Sequence, residues 1–195
     1  MGPAKASAVS IVCLVFVLAS AGTAWADGFL VPYIGFNFGG NSNCPSLTNC
    51  EDKRMNFGVA FGTLGRGFGF ETDFGYAKNF FGDIPGTDNS VFTWMNNVLI
   101  GGGGGRIQPY LLSGIGIINP HVSVNPVESI AQSFTKHSMG WDVGVGVLGF
   151  FGRGVGIRGD IRRLQTFDDF PLLGNVSGQE KLNYWRGTIG LALQF

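Results

Sequence analysis

A histidine beside a serine is the pairing in this chain that could most directly do chemistry, because an imidazole within hydrogen-bond reach of a hydroxyl activates it as a nucleophile. His137 and Ser138 are adjacent, but successive side chains on a strand point to opposite faces, so one cannot deprotonate the other. His121, between Pro120 and Val122, reads as a solvated loop histidine that meets Ser133 or Ser138 only if the loop folds onto them. Cys44 and Cys50 stand close together across Pro45-Ser46-Leu47-Thr48-Asn49. In an exported chain such a pair reads first as a disulfide, with free or metal-bound thiols as the alternative. A metal site would want more ligands than these two.

Other motifs fail on context. Gly144-Val145-Gly146-Val147-Leu148-Gly149 satisfies GxGxxG, but a turn and another strand follow it, with no helix N-terminus to hold a phosphate. Arg158-Gly159-Asp160 spells an adhesion tripeptide in the middle of a strand, and Asn175-Val176-Ser177 spells a glycosylation sequon. No catalytic residue, cofactor or metal is expected, and the chain is not expected to be an enzyme.

The charged residues that alternate with apolar ones carry more weight. Glu71 and Asp73 interleave with Phe70, Thr72 and Phe74; Arg158, Asp160 and Arg162 interleave with Ile157, Gly159 and Ile161; Asp142 and Arg186 stand in similar runs. The chemistry available to them is mutual neutralisation. If both runs are strands of a small barrel, Glu71 and Asp73 can meet Arg158, Arg162 and Arg186 across its interior, each charge gaining a partner instead of being buried alone. The inward glycines Gly58, Gly62, Gly69, Gly75, Gly144, Gly146, Gly156 and Gly190 would make room for the long arginines, or leave a narrow wet path.

The elements that position these residues are strands. Eight segments alternate with period two, at 29–38, 54–62, 67–76, 90–100, 106–118, 137–149, 155–165 and 184–195, each near the ~9–11 residues that a tilted membrane strand requires. The connections after the odd-numbered segments are long and polar, at Gly39–Lys53, Ala77–Asn89, Asn119–Lys136 and Thr166–Asn183; the others are short and glycine-rich. A soluble sandwich has no reason to sort its loops this way, whereas a membrane barrel has long extracellular loops and short periplasmic turns. The charged face must be the interior, since an Arg or Lys facing mid-bilayer lipid costs about 2–4 kcal/mol.

Composition agrees. The 195 residues include 33 glycines and 18 phenylalanines, with 13% charged, which suits neither a disordered chain nor an ordinary soluble domain. Lys5, the apolar run Val9–Ala19 and Ala24-Trp25-Ala26 predict a signal peptide over residues 1–26, cut before Asp27, with the barrel domain over 27–195. Its removal takes away Lys5 and leaves 12 basic against 13 acidic residues, without the basic excess that nucleic-acid binding needs. Cys13 lacks the small residues of a lipoprotein site, so lipidation is not expected.

The last strand, Tyr184 to Phe195, alternates to a terminal aromatic and resembles the C-terminal signature of bacterial outer-membrane barrels. With Phe70-Glu71-Thr72-Asp73-Phe74-Gly75-Tyr76, Gln108-Pro109-Tyr110-Leu111 and Arg158-Gly159-Asp160-Ile161-Arg162, it makes the mature chain similar to small outer-membrane β-barrel proteins of the OmpA, OmpX and OmpW type. That resemblance implies an all-β fold, an eight-stranded antiparallel up-and-down transmembrane barrel with both termini periplasmic. It implies an assembly signal at Phe195 read by the barrel-assembly machinery, contact with outer-membrane lipid, and a monomer. An aromatic girdle is expected from Phe38, Phe68, Tyr76, Trp141, Phe150 and Trp185. Such families include structural proteins, narrow channels, adhesins and complement-binding proteins. The first expectation is a structural or surface-interaction barrel whose lumen is plugged by ion pairs, with an external ligand that the sequence leaves open. A narrow channel for small or apolar solutes comes second and an envelope lipid-modifying enzyme third. With no peptidoglycan-binding segment after Phe195, a cell-wall anchor is not expected.

Overall fold

The computed structural model describes residues 27–40, 54–81, 87–102, 105–124, 132–135, 138–152, 154–170 and 180–195. Its strands are β1 (Asp27–Phe38), β2 (Arg54–Leu64), β3 (Gly67–Lys78), β4 (Thr87–Gly101), β5 (Ile107–Val124), β6 (Gln132–Thr135), β7 (Ser138–Phe150), β8 (Val155–Phe170) and β9 (Glu180–Gln194). They form one antiparallel sheet in the order β4-β3-β2-β1-β9-β8-β7-β5-β6, which the β4–β5 pairing closes. β6 and β7 both pair with β5 in one common register, from Val124 with Gln132 to Ile107 with Gly149. They are two lengths of a single stave, so the closed barrel has eight.

The alternation that predicts the strands also sets their faces. Phe70, Trp94, Leu111, Val145, Ile157 and Ile189 stand exposed on the outer wall, while Tyr33, Glu71, Met95, Tyr110, Asp142, Arg162 and Tyr184 are buried inside. Closure leaves no sheet edge, which is what an apolar surround demands of a β-structure. Two short turns use glycine where other residues are disfavoured: Gly102 has φ 86° and donates its N–H to Pro109 O at 2.8 Å, and Gly154 has φ 78°.

Several strands run further than the hydropathy pattern reaches. Asn119–Lys136 reads as a loop, yet Asn119–Val124 continues β5, paired with Thr87–Phe92 of β4, and 132–135 form β6. β8 likewise continues to Phe170 and β9 begins at Glu180, with a register shift between Gln165 and Asp169. Beyond the apolar band a strand no longer needs apolar residues outside. The ladder therefore persists where the hydropathy signal has stopped.

The interior is layered. At the short-turn end, Phe29, Val31, Leu64, Leu99, Leu112, Leu148 and Ala192 pack together with the rings of Tyr33 and Tyr110. At the long-loop end, Phe80, Val91, Met95, Ile118, Leu164, Leu182 and Tyr184 form a second apolar cluster. Glu71, Asp73, Asp142, Arg158, Asp160, Arg162 and Arg186 lie between the two, and Arg54 lies nearer the long loops, opposite Asn37.

Candidate functional site

The charged layer is assembled from four strands. β3 brings Glu71 and Asp73, β7 brings Asp142, β8 brings Arg158, Asp160 and Arg162, and β9 brings Arg186. Residues two apart on a strand share a face, so each strand delivers its charges inward together.

Arg162 is the hub. Its Nε lies 3.0 Å from Asp160 Oδ1 and its Nη2 3.0 Å from Asp160 Oδ2, while its Nη1 reaches Glu71 at 3.4 Å, Asp142 at 3.5 Å and Asp73 at 3.8 Å. Arg158 pairs with Glu71 and, through Nε, with Asp160 Oδ2 at 3.1 Å. Arg186 pairs with Asp73 and donates to Thr93 Oγ1 at 3.1 Å. All seven charged residues expected in the lumen therefore meet in one network, four carboxylates with three guanidiniums. Glu71 is 3% exposed, Arg162 1% and Arg186 2%. At such burial an unpaired charge costs several kcal/mol, so the pairing is a condition of the fold.

Neutral groups complete the layer, and sequence reading assigned them no part in it. Tyr110 Oη accepts a 2.6 Å hydrogen bond from Arg158 Nε and lies 3.3 Å from Asp160 Oδ2, and Asn97 donates to Glu71 Oε1 at 3.1 Å. The Arg158 guanidinium lies 5.1 Å from the Tyr110 ring centroid, and that of Arg186 5.6 Å from the Tyr33 centroid, within range of a cation–π attraction. The signal for these residues was their place on inward rows. The glycines make room for the tyrosines as well as the arginines: a Cβ at Gly58 would strike the Tyr33 hydroxyl, one at Gly146 the Tyr110 hydroxyl, and one at Gly75 the Arg186 guanidinium.

Arg158-Gly159-Asp160 is unavailable as an adhesion motif, since Arg158 and Asp160 are buried in this network. Ser138 is buried at the upper end of β7, and His137 lies outside the described residues, as do Cys44 and Cys50. His121 meets a serine that sequence reading did not consider: Ser123 Oγ lies 2.8 Å from His121 Nε2. The signal was their spacing of two on what proves to be a strand. Among the described residues no group of three or more His, Cys, Asp or Glu side chains is arranged to hold a metal ion.

Of the aromatic residues expected at the wall, Phe68, Tyr76 and Trp185 are exposed on the outside, and Phe38 and Trp141 lie half-buried on the same outward rows. Phe150 is different. It is even-numbered on β7, the row of Asp142 and Leu148, and packs against the lower apolar cluster inside. Phe195 is 83% exposed, with its backbone held to Gly28 by two hydrogen bonds of 3.0 and 2.9 Å.

A family model described as the outer membrane protein beta-barrel domain matches residues 11–195. The chain belongs to that family. As an outer membrane protein beta-barrel domain it is a bacterial outer-membrane barrel, and its apolar outer wall meets lipid. It is similar in fold to Neisserial surface protein A, with TM-score 0.55 and 16% identity over 86% of this chain and 95% of that one. A major outer membrane protein from Thermus thermophilus gives TM-score 0.55 and 14% identity over 87% and 100%. OprG from Pseudomonas aeruginosa gives 0.53 and 13% over 87% and 96%. No curated protein is significantly similar to the chain.

Proposed function

We propose that this protein is a sealed barrel with a structural or surface-interaction role, whose lumen carries no solute and whose outward business is done by its rim and loops. The observation that carries this reading is the ionic layer held between two apolar clusters. A conducting pore needs an open polar path, and here a buried apolar cluster flanks the charged layer at each end, while the polar side chains beside the upper cluster, Asn37, Asn56 and Arg54, are themselves buried. The long connections then face the exterior, the short turns and both termini face the periplasm, and residues 1–26 are removed on export. Phe38, Phe68, Tyr76, Trp141 and Trp185 hold the wall at the headgroup boundaries, where amphipathic rings are favoured. Planar-bilayer recording of the purified protein tests the reading: a silent bilayer is expected, and steady ion-selective openings would put the narrow-channel alternative in its place.

The bond between His121 and Ser123 favours a second reading, an ester hydrolase acting on envelope lipid. Both residues lie on the outward row of β5, beyond Ile117, at the level where the apolar band gives way to polar residues. Ser123 Oγ would attack an ester carbonyl carbon while His121 Nε2 takes its proton. The imidazolium would return that proton to the departing alcohol, and water would release the acyl group as a free acid by the same steps. A fluorophosphonate probe that labels the unaltered protein but not Ser123→Ala, with turnover of phospholipid ester, would establish this reading; no labelling and no turnover removes it.

A further inference from the structure

One polar pair faces the wrong way. Asn96 is exposed on the lipid side of β4, directly opposite Thr72 of β3. Thr72 occupies the middle of the outward row Phe68, Phe70, Thr72, Phe74 and Tyr76, and Asn96 the middle of Phe92, Trp94, Asn96, Val98 and Ile100. Both therefore sit near the centre of the apolar band. Thr72 Oγ1 donates to Asn96 Oδ1 at 2.9 Å, which satisfies one acceptor and one donor. Among the described residues the Asn96 amide N–H groups have no partner. Lipid tails offer none, and an unsatisfied donor in hydrocarbon is costly.

Beside the pair the wall is hollowed into a groove of about 410 Å³, lined by Phe61, Thr63, Phe70, Thr72, Asn96 and Val98. An aromatic rim surrounds it, with Phe74 5.8 Å from Trp94 and 6.1 Å from Phe61, and Phe70 stands 58% exposed at its edge.

We propose that this face binds a second copy of the same chain, through a twofold axis along the membrane normal. The argument is one of depth and complementarity. The missing partner must be an acceptor at the level of Asn96, and a second barrel inserted in the same orientation carries its own Asn96 Oδ1 and Thr72 Oγ1 at that level. A carboxamide is self-complementary, since it both donates and accepts. A twofold contact places each patch against its identical counterpart, so that each Phe70 edge faces the other copy's groove. Van der Waals packing and hydrogen bonds across the contact are the terms that associate chains in lipid. A dimer then takes the place of the monomer expected from sequence.

The test is energy transfer between full-length barrels labelled at the amino terminus with donor or acceptor and mixed in phosphatidylcholine vesicles over a range of protein-to-lipid ratios. The unaltered protein should give saturable transfer fitting a dimer. Asn96→Val should raise the dimer dissociation constant about tenfold, as loss of polar contacts between chains in lipid does, and Thr72→Val should act in the same direction. Ile189→Ala, on the opposite wall, should leave it unchanged. Folding of each variant is confirmed by its shift on unheated gels. Transfer no greater than random proximity, a dimer indifferent to Asn96→Val, or assemblies that grow beyond two would each overturn the proposal.

Discussion

Arg162 and Asp160 lie two residues apart on β8 and meet through two parallel hydrogen bonds of 3.0 Å each, Nε to Oδ1 and Nη2 to Oδ2. One strand therefore supplies an ion pair ready-made, and the other strands add to it. Glu71 and Asp73 from β3 and Asp142 from β7 reach the remaining edge of the same guanidinium. The network should accordingly behave as a unit under mutation.

The first expectation concerns Arg158 and Glu71. Either Arg158→Ala or Glu71→Ala alone takes from a buried charge one of its two ionic partners and should destabilise the barrel by about 3 kcal/mol. The double variant should lose less than the sum of the two, because it removes acid and base together. Urea unfolding in lipid vesicles, followed by tryptophan fluorescence, gives the coupling; strict additivity would mean that the pair does not act together.

Small residues inside the wall make a second test. Gly75→Val should fail to give folded protein, since a Cβ there meets the Arg186 guanidinium and lies 2.7 Å from Thr93 Oγ1. Gly159→Ala, where the nearest atom would be Thr188 O at 3.8 Å, should fold like the parent. The heat-dependent gel shift of each variant reads the outcome, and equal folding would show that the glycine rows are not filled by their neighbours.

At the C-terminus, Phe195→Asp should cut the yield of membrane-inserted barrel several-fold, whereas Phe151→Asp, at a similarly exposed phenylalanine, should have a smaller effect. The difference would reflect Phe195 as the assembly signal. Quantifying heat-modifiable protein in outer-membrane fractions decides it; equal yields would remove any special role for the terminal residue.

Cys44 and Cys50 should be joined to each other in protein taken from the envelope. Alkylation before and after reduction, read by mass spectrometry, should find neither thiol free before and both free after. Replacing both with serine should leave the barrel folded, because the ring they close is short and adds little to global stability. Thiols at both positions that alkylate without reduction would exclude the bond.

Much of this architecture could be read from the residues because a membrane wall enforces its own pattern. Ile157, Gly159 and Ile161 must face outward if Arg158, Asp160 and Arg162 are to avoid lipid, so the charges announced both the face and their partners. What escaped did so for definable reasons. Asn119–Val124 continues β5 above the band where hydropathy is silent. Phe150 looked like a boundary ring, but its even number on β7 commits it to the interior. Tyr33 and Tyr110 belong to the ionic layer through hydroxyls and ring faces, which an apolar/polar alternation does not register. The pairing of His121 with Ser123 depended on knowing that a strand runs through both.

The pairing of Arg186 with Asp73 bears on how the chain finishes folding. Asp73 belongs to the third strand and Arg186 to the last, and the two come within reach only when β9 docks on β1. Until then Arg186 is without its acid, and Asp73 has only the more distant guanidinium of Arg162 to meet. Seam closure and the pairing of Arg186 therefore coincide, so the barrel is latched from within, and a strand docked out of register would leave the latch open.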